Sequence, residues 1–337
     1  MHTVQSTQLH RRFSIAPMMA CTDRHARFLF RLLTSRTLLY TEMVNAGAVV
    51  FGDRDRHLGF SSQEHPLALQ LGGNDPEMMA QAAMIAEEWG YDEVNMNCGC
   101  PSPRVKSGAF GAALMAEPDT VAACVAAMRD RVQIPVTVKT RIGIDDLDSY
   151  DHLCHFIGTV AEAGCQSFTI HARKAWLNGL SPKENREIPP LKYHVVDQLM
   201  RDFPALEFVL NGGIANLDEA MSHLQRVHGV MLGRAAYNQP ALLADVDMRV
   251  FGVAREVPAL RDVVDEYQRY AAHMHQQRAS IATLVRPVLG LFHGAAGARR
   301  WRRYLSEQIT VKHFTSTIFG DALAAMDRAA EQVATAA

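Results

Sequence analysis

Cysteine is scarce in this chain and scattered, at positions 21, 98, 100, 124, 154 and 165, with none in the second half and no Cys-x-x-Cys pair. That spacing excludes a disulfide framework and a zinc ribbon, gives no reason to expect a bound metal, and fits a reducing, cytoplasmic setting. Long hydrophobic runs are missing too. No stretch approaches the roughly 18 apolar residues that a membrane span requires, and the opening segment MHTVQSTQLHRRF has no apolar core for a signal peptide, so neither membrane insertion nor secretion is expected. No Gly-x-Gly-x-x-Gly follows a strand, which argues against a Rossmann dinucleotide unit. Excess charge of one sign is also lacking: the net charge is −2, which by itself does not suggest a polyanionic partner.

What remains is a globular composition, 337 residues with 48% hydrophobic and 21% charged side chains. That length suits one large barrel with an accessory domain. The small net charge conceals a segregation. Between Arg255 and His313 there are ten Lys and Arg against five Asp and Glu, so the surplus of acids lies elsewhere and the C-terminal third offers a basic contact face.

Short β-rich runs recur along the first part of the chain: 13–18, 38–43, 66–73, 93–99, 136–140, 167–173, 207–213 and 229–234. Helical stretches are expected at 24–33, 76–89, 119–131 and 149–163. Eight strands alternating with helices across about 245 residues match a closed (β/α)8 barrel, of the TIM type, better than an open doubly wound sheet. Beyond Val257-Pro258 no strand-like run occurs, and helix formers dominate up to an alanine-rich end. The organisation expected is a barrel over 1–245 and a smaller all-helical domain over 258–337.

Residues with chemical potential fall at the ends of these strands: Met18, Glu42, Gln70, Asn97, Lys139, His171, Asn211 and Arg234. In a barrel such ends converge on the catalytic face. The stretch EVNMNCGCPSPRVKSGAFG (93–111) puts a strand into a Gly-Cys-Pro-Ser turn, with Asn95 and Asn97 on one side. It is followed by a basic loop holding Arg104, Lys106 and Ser107. Cys98 and Cys100 both read equally well as buried fillers. Asn211-Gly212-Gly213 and Gly233-Arg234 follow the last two strands, where barrels commonly hold a phosphate against backbone N–H groups. Lys139 and Arg141, two residues apart, supply cations for the electron-rich ring of a reduced cofactor. Gln70 offers a donor and an acceptor to a heterocycle edge, and His171 a hydrogen bond to the same group. This set suits a flavin mononucleotide. Arg299, Arg300, Arg302 and Arg303 flank Trp301 on a helix, an arrangement able to meet phosphates and to stack on a base.

Taken in order, PMMACTDRHAR (17–27), LLYTEMV (38–44), ALQLGG (68–73), NMNCGCPS (95–102), VTVKTRIGID (136–145), IHARKAWLNGLSPKENREIPPL (170–191), NGGI (211–214), MLGRAAY (231–237) and GLFHGAAGARRWRRYLSE (290–307) resemble the tRNA-dihydrouridine synthases, the A type in particular. The resemblance spans nearly the whole chain in register. It departs from the A-type pattern at Met19-Ala20-Cys21, where a Leu-Asp-Trp-like run is usual, and at Cys98, where an aliphatic residue is usual.

The resemblance implies a flavin-dependent oxidoreductase that reduces the C5–C6 bond of D-loop uridines 20 and 20a in tRNA, with bound FMN and with NADPH as reductant. It implies that Cys100, not Cys98, is the proton donor. Pro17, Met18 and Met19 would meet the flavin through the backbone and Gln70 its ring. Lys139 and His171 would face its ring edge and phosphate side, and Asn211, Gly212, Gly213, Gly233 and Arg234 its phosphate. Asn97 would touch the uridine; Arg141, Lys183, Arg186, Arg299 and Arg302 would serve the tRNA. A cytoplasmic monomer without a stable protein partner is expected. A dihydroorotate dehydrogenase-like flavin barrel would have no use for a basic helical domain, and a catalytically silent tRNA-binding or tRNA-folding protein would have no use for Cys100, Lys139 and His171.

Overall fold

The computed structural model describes residues 9–103, 105, 108–254 and 256–336, with side chains as far as Gln332. Arg104, Lys106 and Ser107, named above for their basic loop, lie outside the described residues. Two compact units emerge: one holds the described residues up to Met19 together with Thr37–Gly233, the other Ala20–Arg36 together with the described residues from Arg234 onward. This division is not the linear one expected, because the first helix, α1 (Arg24–Leu33), groups with the C-terminal region.

The first unit is a closed parallel barrel. Its strands are β1 (Phe13–Ile15), β2 (Leu39–Tyr40), a short β3 (Val44–Asn45), β4 (Leu67–Gly72), β5 (Glu93–Cys98), β6 (Val136–Arg141), β7 (Ser167–His171), β8 (Glu207–Asn211) and β9 (Gly229–Leu232). The order around the sheet is β1-β9-β8-β7-β6-β5-β4-β2, with β3 pairing on β4 beyond β2. Closure comes through Leu38, whose carbonyl accepts from Ile15 N at 3.0 Å and whose N–H donates to Phe13 O at 3.1 Å. Of the run expected as one strand over 38–43 only Leu39–Tyr40 forms a strand; the chain leaves the ladder at 41–43 and rejoins the same neighbour just beyond, as β3. The other expected strands all form, and most stop one or two residues short, where the chain leaves the ladder for a loop.

Helices α2 (Pro76–Glu88), α3 (Pro118–Arg129), α4 (Tyr150–Glu162), α5 (Tyr193–Asp202) and α6 (Leu217–His223) follow successive strands. Their starts are local. Asp75 accepts from Met78 N with Pro76 in the first turn, and Ser149 accepts from His152 N, satisfying N–H groups that have no partner inside the helix.

Parallel pairing sets neighbouring side chains on the same face. The register therefore assigns Gln70, Asn95, Asn97, Thr137, Lys139, Thr169, His171, Val209, Asn211 and Met231 to the barrel interior. On β5 the outward residues Val94, Met96 and Cys98 are fully buried as well. The polar-apolar alternation of this strand, which elsewhere would mark a solvent-facing side, here separates the barrel lumen from the helix layer.

The second unit is helical: besides α1 it contains α7 (Leu260–Gln276), α8 (Ile281–Val285), α9 (Ala298–Val311), α10 (Ile318–Ala336) and shorter turns. The buried carboxylate of Asp247 accepts from Thr34 Oγ1 at 2.6 Å, Ser35 N at 2.7 Å and Arg36 N at 3.1 Å, tying down the end of α1. Tyr270 stacks on Phe28 with ring centroids 3.8 Å apart and hydrogen-bonds His25 Nδ1 at 2.8 Å. These contacts explain why α1 belongs here. Among the described residues no helix is long and apolar enough to cross a membrane.

Candidate active site

The site is built where β4 to β8 end. Asn97, at the top of β5, is 8% exposed, and both ends of its amide are engaged. Its Oδ1 accepts from the backbone N–H of Gly99 at 3.1 Å and of Cys100 at 2.9 Å, and its Nδ2 donates to Gln70 Oε1 at 2.8 Å. The Gly99-Cys100 turn is therefore held by a side chain rooted in the barrel wall. Farther along, Ala112 N donates to Cys100 O at 3.0 Å, so the intervening loop is pinched at its base.

The structure gives the two cysteines different surroundings, which their residue type alone does not distinguish. Cys98 is fully buried and faces the helix layer. Burial, aided by the nearby Cys124 and Cys165 thiols, pushes its own thiol well above the usual range. Cys100, two residues past the strand, is half-buried on the turn.

Lys139 lies beside Asn97 in the β5–β6 register, and its Nζ donates to Asn211 Oδ1 at 2.8 Å; Asn211 Nδ2 in turn donates to Met231 O at 2.7 Å. Burial above all, then the charge of Arg141, lowers the Lys139 pKa to about 7, against a Cys100 thiolate that would raise it. An amine poised this way takes up a proton, and becomes fully cationic, when negative charge arrives. His171 is held neutral by burial first and then by Arg141 and Lys139, which bring its pKa well below the usual value.

His171 Nδ1 is buried and makes no hydrogen bond to the protein. Such an atom is costly to leave unmet and calls for a ligand or solvent partner. Beside it, Gly212 (φ 113°) and Gly213 (φ 76°) form the turn after β8. A Cβ at Gly212 would come within 3.1 Å of the His171 ring, and one at Gly213 within 2.4 Å of Leu191. The glycines are thus demanded by the chain's own packing as well as by any anion. The unmet His171 nitrogen, the Lys139 amine and the remaining donor and acceptor of Gln70 are groups of the kind a flavin would need. Pro17 and Met18 are half-buried, Gly233 lies close to Met18, and Met19 is 62% exposed.

The residues expected to meet tRNA separate into two kinds. Arg141 is buried and braced on carbonyls: its Nε donates to Gly99 O at 2.9 Å, and its Nη1 to Lys174 O at 3.1 Å and Asn185 O at 3.0 Å. Its visible work is to join the cysteine turn to the loop after β7. Lys183 and Arg186 are exposed on that loop. The loop folds around buried Asn185, whose amide accepts from Trp176 N at 2.7 Å and donates to Trp176 O at 2.9 Å. In the second unit, Arg299, Arg300 and Arg303 are exposed and Arg302 partly so. Trp301 contradicts the expectation of base stacking. It is fully buried, donates from Nε1 to Val288 O at 3.0 Å and packs edge-on against Phe292. Arg234 is an exposed residue that begins a short helix of the second unit.

Sequence reasoning missed the support beneath the site. Asn95, Thr137, Glu93, Tyr40 and Arg11 form a buried hydrogen-bonded column. Only the all-polar inward side of β5 (Glu93, Asn95, Asn97) could have signalled it.

The sequence model of the family described as Dihydrouridine synthase (Dus) matches residues 14–330. The tRNA-dihydrouridine(20/20a) synthase of Vibrio cholerae is 56% identical over 297 residues, covering 88% of this chain and 90% of that protein. Its namesake in Escherichia coli (strain K12) is 57% identical over 297 residues, 88% of this chain and 86% of that one, and that of Vibrio parahaemolyticus 53% identical over 314 residues, 93% and 96%. Among solved structures, a 2-naphthoyl-CoA reductase in complex with 2-naphthoyl-CoA superposes with a TM-score of 0.54 at 9% identity. That match covers 70% of this chain and 49% of the reductase chain, and shows likeness of fold alone. A family match across nearly the whole length, carried by relatives more than half identical to it, makes this chain a member of the dihydrouridine synthase family.

Proposed function

We propose that this protein reduces uridine to dihydrouridine in the D-loop of tRNA, at positions 20 and 20a, as an FMN enzyme that draws on NADPH. The observation that carries the reading is the placement of Cys100. It is half-buried, on a turn fastened by Asn97, beside an inward ring of Gln70, Lys139 and His171. The names of the relatives supply the substrate.

Bound FMN would supply the hydride for uracil C6. Cys100 delivers the proton to C5 from Sγ, so that hydride and proton together account for the two hydrogens added. Negative charge that develops toward the C4 carbonyl as C6 is attacked is lowered in energy by prompt protonation at C5. Lys139, held by Asn211, offers positive charge to the reduced ring, and His171 gives a neutral hydrogen bond. Pro17, Met18, Met19, Gly212, Gly213, Gly233 and Arg234 complete the FMN residues of this proposal.

The target base must leave its stack to reach the site. The binding energy then comes from the rest of the tRNA, through Lys183 and Arg186 on the first unit and Arg299 and Arg302 on the second. No acidic residue occupies the first turn of α9, where the helix dipole favours one. Each cation placed there instead costs about 0.3–1 kcal/mol, a penalty that a polyanion removes.

Purified protein is expected to be yellow, and its expression in a strain lacking dihydrouridine at positions 20 and 20a is expected to restore it. A colourless protein, or tRNA that stays unmodified at those positions, would overturn the reading. Replacing Arg299 and Arg302 together by Ala is expected to flatten the slope of log affinity for tRNA against log salt by about 1.4–1.8.

A further inference from the structure

A single run of hydrogen bonds descends the barrel interior from the cysteine turn to a buried carboxylate. The backbone N–H groups of Gly99 and Cys100 donate to Asn97 Oδ1. Below them, Asn97 Nδ2 donates to Gln70 Oε1 at 2.8 Å, Gln70 Nε2 to Asn95 Oδ1 at 2.8 Å, and Asn95 Nδ2 to Thr137 Oγ1 at 2.8 Å. The Thr137 hydroxyl donates to Glu93 Oε1 at 2.6 Å. Tyr40 OH donates to the same oxygen at 2.6 Å, while Arg11 Nε reaches Glu93 Oε2 at 2.6 Å and Arg11 Nη1 reaches Glu207 at 3.0 Å. Glu93, Asn95, Thr137 and Gln70 are all buried.

Every side-chain link in this run donates downward, and the direction has a cause. An ionised carboxylate only accepts, so Thr137 must spend its one hydrogen on Glu93 and can only accept from Asn95. Asn95 is thereby forced to turn its NH2 down and its oxygen up, which obliges Gln70 to turn its own NH2 down, and Asn97 likewise. An amide otherwise flips at little cost between two nearly isosteric states. Here one charge, about 13 Å below the top of the strand at 3.3 Å per residue, selects the state of three amides in series. The result at the top is an Asn97 oxygen aimed at the cysteine turn. Gln70 is left with one N–H and one lone pair in a defined place for a ring edge.

We infer that Glu93 is a positioning residue for the reaction, acting through Thr137, Asn95, Gln70 and Asn97 to fix the orientation of the Cys100 turn and of the Gln70 amide. Neither Glu93 nor Thr137 touches a reacting atom; reversing any link presents an NH2 group to the N–H groups of Gly99 and Cys100 and releases the turn. Arg11, itself held by Glu207, keeps the carboxylate in place. Tyr40 shares the oxygen but leads nowhere, so it provides an internal control.

This inference rests on the proposed reductase function, and one set of holoenzyme measurements separates the two. Thr137→Val, Thr137→Ser, Asn95→Ala and Tyr40→Phe are compared with the wild type for kcat and KM on tRNA, bound flavin absorbance and Tm. Thr137→Val is expected to lose about tenfold to a hundredfold in kcat, the scale of a misplaced catalytic group, while keeping its flavin and its KM for tRNA. Thr137→Ser, which restores the hydroxyl, should recover to within about threefold. Asn95→Ala breaks the run one link higher and should repeat the kcat loss, which keeps the idea testable if Thr137→Val folds poorly. Tyr40→Phe is expected to lower Tm but not kcat. Unchanged kcat in Thr137→Val or Asn95→Ala, failure of Thr137→Ser to recover, or an equal kcat loss in Tyr40→Phe would overturn the inference. A wild-type holoenzyme inactive on tRNA would instead sink the function on which it rests.

Discussion

The two walls of the barrel interior are built by opposite rules. On one, Ala16, Leu38, Tyr40, Ala68, Val209 and Met231 pack as a buried cluster joined by Met18 and Leu9. On the other, β4, β5 and β6 turn Gln70, Asn95, Asn97, Thr137 and Lys139 inward. Apart from the Tyr40 hydroxyl, which donates to Glu93, the first wall needs only shape and apolar area. The second would be destabilising if any member lacked a partner, since a buried unmet polar group costs about 1–3 kcal/mol. It survives because each amide donates to the group below it and accepts from the one above. A barrel could be filled more cheaply with Val and Leu, so the polar wall marks the side where orientation matters more than stability.

The largest contrast lies where the polar wall reaches the surface. Cys100→Ala should cut turnover by about 100- to 10,000-fold, as loss of a general acid does, with flavin retained. Cys98→Ala, on the helix side of the same strand, should keep turnover and show only lower stability. Steady-state kinetics and thermal melts on both variants test this, and similar turnover in the two would erase the distinction.

The apolar wall predicts the reverse pattern. Leu38→Ala should cost about 2–5 kcal/mol of stability by denaturant titration, while the variant that still folds keeps its kcat on tRNA. A selective kcat loss without destabilisation would show that this wall also orients the site.

Lys139 gives a smaller, pH-dependent effect. Its pKa is about 7 in the folded state against an ordinary value of 10.5. Between those limits the unfolded chain holds more protons, so stability of the flavin-free protein should rise with pH from about 7 toward 10.5. Bound FMN, by raising the pKa, should flatten that rise, and Lys139→Met should abolish it. Melting temperatures across the pH range for the two proteins, with and without FMN, provide the check. A wild-type slope equal to that of Lys139→Met would mean that the ammonium is not shielded as its surroundings indicate.

Much of the framework was legible without coordinates. The strand runs around Gln70, Asn97, Lys139, His171 and Asn211 were visible because each combines β-branched or apolar residues with a polar residue at the end. Helix α1 was placed to the residue, with Asp23 accepting from His25 N and Ala26 N at its start. What escaped were the partners of those residues. Asn97, expected at the substrate, spends its amide on Gln70 and the cysteine turn; Arg141, expected at tRNA, is spent on three carbonyls. Trp301, flanked by four Arg and read as a stacking platform, is a core residue whose indole N–H is satisfied internally. A side chain's type shows what bonds it can make, whereas which bonds it does make depends on neighbours tens of residues away.

Local pattern determined the alternation of strands and helices, the barrel class and the strand ends that carry chemistry, because periodicity and capping act over a few residues. Family membership was legible in motif order for the same reason: the motifs are contiguous. Only the tertiary structure decided that α1 joins the C-terminal unit, since Asp247 and Tyr270 reach it from far along the chain. It also set Cys98 and Cys100 in different surroundings, because Cys98 ends the strand facing the helix layer while Cys100 lies beyond it on the turn held by Asn97. Parallel pairing of β4, β5 and β6 is what brings Glu93, Thr137, Asn95, Gln70 and Asn97 into one column, linking strands that no sequence window contains together.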